Sequence, residues 1–322
     1  MTVVVSRRAV LGAALLPAAA AAQTEGWPAR AITLIVPFAP GGPVDNVGRP
    51  LADALRRHLG QPVIVENRAG GGGVVGTRAV AAARPDGYTL LVGSAGPLII
   101  APATGDTPDL LQGLAPVALI SASPQVLAVP ADLPARTLQE FLALARARPA
   151  GLNLGSAGIG TTPHLALELL ARIADVRFEH IPYRGTGAAL PDLIGGKIDA
   201  LFGDISAVLP LLRGGQLRAL AITGDERSRL APEIPSAAEL GLPALRVRNW
   251  QALMAPAGTP APILARIDAA VAAARQDQQL SEALARQGAQ AAVSNPDHLA
   301  AFLREERETW EPIVRAIGLG TR

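Results

Sequence analysis

The chain of 322 residues has no cysteine. That absence excludes a disulfide scaffold, a thiolate metal site, an iron–sulfur cluster and a cysteine nucleophile. It leaves the compartment open, because exported proteins also do without disulfides. Lys197 is the sole lysine, so no G-x-x-x-x-G-K-[ST] phosphate loop exists. No H-E-x-x-H occurs, and no G-x-S-x-G elbow surrounds Ser94, Ser156 or Ser206. Aromatic residues make up only 3%, and no run of clustered Arg with interleaved aromatics is present. A nucleic-acid partner is therefore not expected. Outside the N-terminus no charge-free apolar run approaches the roughly 20 residues of a membrane-spanning helix.

What is present is 49% apolar and 17% charged residues, enough to bury a sizeable core. The length fits about two domains. At the N-terminus, Arg7 and Arg8 precede the apolar run Ala9–Ala22, which ends in small residues. Residues 1–22 are read as an export signal. Ser6-Arg7-Arg8-Ala9-Val10-Leu11 is compatible with twin-arginine export as well as with an ordinary secretory start. An uncleaved anchor is the competing reading, disfavoured by the short run. Cleavage after Ala22 removes Arg7 and Arg8, so the formal charge of +2 becomes zero. Localisation outside the cytoplasm, in the periplasm, follows from the signal.

Short apolar strands alternate with amphipathic helices, which predicts an α/β protein with mostly parallel sheets. Strands are expected at 32–36, 63–66, 89–93, 117–120, 126–129, 152–155, 178–181, 200–203, 217–223 and 249–254. Helices are expected at 44–58, 76–82, 137–147, 163–171, 188–195, 260–274, 280–287 and 297–317. Thr137 and the Asn295-Pro296 pair supply helix starts, and Gly60 a helix end. The pattern restarts after about residue 121, which predicts a second sheet.

Strand–helix loops carry the candidate chemistry. Pro37-Phe38-Ala39-Pro40-Gly41-Gly42-Pro43-Val44-Asp45 can cradle a carboxylate or phosphate on backbone N–H groups at a helix start. Equally, it is an ordinary turn with Asp45 as a local cap. Gly155-Ser156-Ala157-Gly158-Ile159-Gly160-Thr161-Thr162-Pro163 is a second cradle, with Thr162 as N-cap. Pro182-Tyr183-Arg184-Gly185-Thr186-Gly187 is a third such loop, in which Tyr183 lines a pocket and Arg184 is either an anion partner or a solvated charge. Ser94 and Asp204 end two further strands. Asp204 either accepts from a ligand or caps the next turn. Gly71-Gly72-Gly73-Val74-Val75-Gly76 matches G-x-G-x-x-G, but no acid closes the next strand at Gly93-Ser94, so a structural turn is preferred to a dinucleotide site. His164 and Glu168, four apart, read as a surface pair more readily than as part of a metal site. No cofactor and no metal are expected.

The ordered set of motifs resembles the Bug family, the solute receptors of tripartite tricarboxylate transporters. It comprises Trp27-Pro28, Ile35–Gly42 with Asp45, Gly60–Arg68, Pro85–Leu91, Gly160-Thr161 with His164-Leu165, Pro182–Gly185, Asp192–Gly196, Arg218–Thr223 and Ala255–Pro260. The resemblance implies a type II periplasmic-binding-protein fold, two α/β lobes with a ligand cleft between them. It implies lobes built from residues 23–121 plus 224–322 and from 122–223. It implies a monomeric, non-enzymatic receptor for a small carboxylate, serving the membrane subunits of such a transporter. Phe38, Ala39, Gly41, Gly42 and Asp45 would face Ser156, Gly160 and Thr161 across one carboxylate; the loop reading itself adds Ser94, Tyr183 and Asp204 as candidates at the same cleft. Two segments depart from the family. Gly96–Gly113 is short and divergent, and Gly203-Asp204 replaces the usual aspartate–asparagine pair. An enzyme on the same scaffold and a receptor feeding a signalling system are the alternatives.

Overall fold

A computed structural model describes residues 26–149, 151–286, 288–292 and 294–319. The expected export signal lies outside the described residues. Among those described, no helix is long and apolar enough to cross a membrane.

The first strand, β1 (Ile32–Val36), is apolar apart from the half-buried Thr33 because it is covered on both faces. It pairs in parallel with β2 (Val63–Asn67) on one side and β3 (Thr89–Gly93) on the other. Helix α1 (Pro43–Leu59) returns the chain from β1 to β2 and ends on Gly60, whose φ of 71° closes the helix in the left-handed region. Helix α2 (Val74–Ala81) leads to β3. Gly70, Gly71, Gly72 and Gly73 before α2 all have positive φ, from 54° to 138°. A Cβ on Gly73 would also lie 2.9 Å from the Phe38 ring. The glycine run is thus required by its own backbone and by the first loop.

The expected strands at 117–120 and 126–129 are one strand, β4 (Leu114–Pro130), 17 residues long. Its first part, through Pro124, pairs antiparallel with β9 (Arg248–Pro256). From Gln125 onward it pairs with β7 (Ala200–Asp204) and β8 (Leu217–Ile222). Pro124, which composition marks as a break, sits where the partner changes. A residue without an N–H is tolerated at such an irregular point of a ladder. The restart near residue 121 is therefore the middle of a strand shared by both halves.

Beyond β4 the second half repeats the first. Helix α3 (Leu138–Ala147) starts on a Thr137–Glu140 capping box. Strand β5 (Leu152–Ser156) pairs in parallel with β6 (Phe178–Pro182) and with β7. Helix α4 (Thr162–Ala174) and helix α5 (Thr186–Ile194) intervene. A helix absent from the sequence reading, α6 (Ile205–Arg213), follows β7. Its short length and internal Pro210 hide it. Helices α7 (Ala261–Ala274), α8 (Gln278–Arg286) and α9 (Pro296–Ala316) close the chain, with the short strand β10 (Gln290–Ala291) before α9. The path through the ten-stranded sheet is β2-β1-β3-β9-β4-β7-β5-β6, with β8 and β10 also on β4.

Two clusters are confined to opposite halves, one around β1, α1 and α7, the other around β7, α5 and α6. Ala231 and Ile234, grouped by sequence with the first half, pack in the second cluster. A third cluster joins β4, β9, α3, α4 and α9.

Candidate functional site

Parallel βα units place helix starts beyond the carboxyl ends of their strands, where ligands bind in such folds. Three helix starts meet there around a cavity of about 280 Å³. Pro43 and Val47 come from α1, Gly185 and Thr186 from the start of α5, and Ser206 and Ala207 from α6. The strands shared between the halves form the floor: Ser123 of β4, Asn249 and Gln251 of β9, and Asp204 at the end of β7. Larger cavities of about 470, 360 and 300 Å³ lie elsewhere, the first against α4 and α9, the second beside residues 223–228 and the third between residues 109–116 and α9. None of the three gathers helix starts.

The helix starts at the cavity are open. Those of α1, α5 and α6 have no side-chain cap. In α1, Pro43 has no N–H, the first intrahelical bond runs from the Asn46 N–H to the Gly42 carbonyl, and the N–H groups of Val44 and Asp45 precede it without an intrahelical acceptor.

The floor is a chain of side-chain hydrogen bonds. The Ser121 hydroxyl donates to Gln251 Oε1 at 2.6 Å, and Gln251 Nε2 to Asn249 Oδ1 at 3.3 Å. Asn249 Nδ2 donates to Asp204 Oδ1 at 3.1 Å, and Gln125 Nε2 to the same oxygen at 2.7 Å. Burial pushes the Asp204 carboxyl above its usual value, against the pull of the Gln125 and Asn249 amides. Gln125, Asn249 and Gln251 escaped the sequence reading. Their signal was a period of two: Ser121, Ser123 and Gln125 alternate with apolar neighbours on β4, as Asn249 and Gln251 do about Trp250 on β9.

Of the residues picked from sequence, Asp204 lines this cavity. Phe38, Ala39, Gly41, Gly42, Asp45, Ser94, Ser156, Gly160, Thr161 and Tyr183 are not among its lining residues. The first loop reaches the cavity through Pro43, followed by Val47 one turn into α1. Asp45 is buried and engaged: Oδ2 accepts from the Gly41 N–H and from Arg49 Nε, both at 2.8 Å, and Oδ1 from Asn67 Nδ2 at 2.9 Å. Burial alone would raise its pKa. The hydrogen bonds from Arg49, Gly41 and Asn67 outweigh it and hold the carboxyl below its ordinary value.

The second loop is also braced from within. The Ser156 hydroxyl lies 2.6 Å from His180 Nε2 and accepts from the Gly158 N–H at 3.1 Å. The Gly160 N–H donates to His164 Nδ1 at 3.1 Å, and the Thr161 hydroxyl donates to the Gly158 carbonyl at 2.7 Å. Helix α4 has Thr161, not Thr162, at its N-cap. His164 is not a surface residue, being 4% exposed. Its ring stacks on His180 at 4.0 Å, and its Nε2 faces Glu168 at 3.5 Å. Burial, and then His164, lowers the His180 pKa to about 4. No group of three or more metal-ligating side chains occurs among the described residues.

Gly160 approaches Ile100, and Phe38 approaches Pro97 across Gly73. The divergent segment forms a wide helical turn, Gly96–Ile100, between the two loops. Ser94 is buried just after the Gly93–Ala252 pair. In the third loop, the Tyr183 hydroxyl donates to Asp192 Oδ2 at 2.9 Å, and burial with this carboxylate pushes its pKa up to about 12. Arg184 is exposed.

The profile of the tripartite tricarboxylate transporter family receptors (TctC) matches residues 47–319. The protein BugT of Bordetella pertussis is 38% identical over 315 residues, covering 96% of this chain and 97% of BugT. Solved structures agree. A TctC solute-binding protein from Polaromonas, without ligand, gives a TM-score of 0.81 at 31% identity over 90% of this chain and 100% of that one. MatC from Rhodopseudomonas palustris with bound malate gives 0.73 at 36% identity over 89% and 100%. An R. palustris protein with adipate gives 0.76 at 31% identity over 91% and 99%. The matched proteins are solute-binding receptors, not enzymes, and the fold is the two-lobed α/β fold of periplasmic binding proteins.

Proposed function

The chain belongs to the tripartite tricarboxylate transporter receptor family, and on that premise we propose that it captures a small carboxylate in the cleft and delivers it to the membrane subunits of such a transporter. The observation that carries this reading is the convergence of the uncapped starts of α1, α5 and α6 on one cavity. Unpaired N–H groups and the positive ends of helix dipoles make such starts ready anion sites. The lobes, residues 23–121 with most of 224–322 and residues 122–223 with Ala231 and Ile234, move about β4 and β9. Closure is driven by the ligand's higher affinity for the closed form. The ten residues chosen from the loops outside the cavity lining act in this reading on the shape of the cleft or on a carboxylate bound at its rim. Residues 1–22 direct export to the periplasm, where the receptor works as a monomer without cofactor.

A thermal-shift screen of the chain lacking residues 1–22 against small organic acids and amino acids tests this. A stabilising carboxylate is expected, since a ligand of the native state raises its stability. Stabilisation by nucleotides alone overturns it.

A further inference from the structure

The cavity floor is chemically one-sided. Among the described residues its lining contains no Arg, Lys or His, and Asp204 is its one charged side chain. Asp204 occupies the N-cap position of α6, where a carboxylate ordinarily accepts from the first turn, yet it makes no such bond. The carboxylate turns instead towards β4 and β9. Gln125 and Asn249 both donate to Oδ1. Oδ2 accepts from no described group. The buried Gln125 Oε1, which does not line the cavity, finds no partner among the described residues either. The free acceptor at the floor is thus one Asp204 oxygen facing the cavity, and no cation stands in the described lining.

We propose, resting on the receptor reading above, that the part of the ligand that reaches Asp204 carries a donor group, an ammonium, amide N–H or hydroxyl, and not a second carboxylate. The receptor then selects monocarboxylates with a polar donor over dicarboxylates. A donor completes a charge-assisted hydrogen bond to Oδ2. A second carboxylate would bring like charge beside Asp204 in a cavity whose described lining holds no cation, which is costly. A site built around such a bond discriminates strongly against an analogue that lacks the donor.

Calorimetric titration of the chain lacking residues 1–22 with matched pairs tests this. Suitable sets are succinamate, 4-aminobutyrate and 4-hydroxybutyrate with succinate, and glutaramate with glutarate, in which the dicarboxylate has no donor of its own. In at least one series the donor-bearing member is expected to bind at least tenfold more tightly than its dicarboxylate partner. The 4-aminobutyrate and 4-hydroxybutyrate arms separate a charged from a neutral donor. Asp204→Asn, which supplies N–H donors of its own, is expected to shrink that ratio at least tenfold. Tighter binding of the dicarboxylates by the unaltered chain overturns the inference while leaving the receptor reading intact. So does an unchanged ratio in Asp204→Asn. Failure of every organic acid to bind overturns both. The ratio in the unaltered chain stands whether or not the variant folds.

Discussion

Two aspartates sit at helix starts beside the cleft, and they are held in opposite ways. Asp45, in the first turn of α1, takes three donors spread over both oxygens, one of them the Arg49 cation, and its pKa is lowered. Asp204, at the start of α6, takes two neutral donors on one oxygen, and its pKa is raised. The residue type and the helix position are nearly the same. The difference lies in whether the fold itself completes the carboxylate's hydrogen bonding. A completed carboxylate builds a loop, and an incomplete one is left for a ligand. A helix start elsewhere makes the same point, since α3 is closed by the Thr137–Glu140 capping box and contributes nothing to the cavity lining.

The comparison is broken most directly by removing Asp45. Asp45→Ala leaves the Gly41 N–H, the Asn67 amide and the Arg49 guanidinium without their acceptor. Unsatisfied polar groups of this kind cost about 1–3 kcal/mol, so a loss of roughly 3 kcal/mol is expected in denaturant unfolding of the unliganded chain. The bonding thus puts the larger consequence on stability. If Asp45→Ala unfolds at the same denaturant concentration as the parent, Asp45 is not the brace the geometry describes.

A third buried acid sharpens the comparison. Glu306 on α9 resembles Asp204: Oε2 receives the indole N–H of Trp250 at 2.6 Å and of Trp310 at 3.1 Å. Burial raises its pKa from an ordinary 4.5 to about 7, against Trp250, Trp310 and Arg248, with Glu305 pushing the same way as burial. An acid whose pKa is higher folded than unfolded contributes stability that is fully present below the unfolded value. That contribution is lost as pH rises through the folded value. The expected loss from this residue between roughly pH 4.5 and pH 8 is about 2–3 kcal/mol. Asp45 has the opposite sign, its contribution present above its unfolded pKa of 3.8 and lost as pH falls through its lower folded value. Unfolding of Glu306→Gln across that range is expected to show a flatter profile and greater stability at the alkaline end. An unaltered slope removes Glu306 from the account.

Much of the fold was legible because its signals are local. The apolar runs at 32–36 and 89–93 are the strands β1 and β3 as expected, and Thr137 and Asn295-Pro296 start their helices. What failed is tertiary. Ser121-Ala122-Ser123-Pro124 has the composition of a loop, and only its pairing with Arg248–Gln251 of the distant β9 makes it strand. The glycine loops were recognisable as strand–helix turns, but sequence does not reveal whether a loop N–H already has an acceptor. Gly41 finds one in Asp45, Gly158 in Ser156 and Gly160 in His164. The floor was missed for the converse reason. Gln125 and Asn249 lie 124 residues apart in the chain and meet only through Asp204.

The smallest expected effect is the most specific. Asp204→Asn keeps an oxygen to accept from Gln125 and Asn249 and exchanges the unpaired oxygen for an amide nitrogen. The change removes a partly buried charge beside which the described cavity lining holds no cation, which by itself stabilises. Against this gain stands the loss of two hydrogen bonds to a charged acceptor, replaced by weaker ones to a neutral amide. The terms oppose, so the unliganded variant is expected to unfold within about 0.5 kcal/mol of the parent. A much larger loss in denaturant unfolding would mean that Asp204, like Asp45, holds the fold together, and the distinction between the two aspartates would fall.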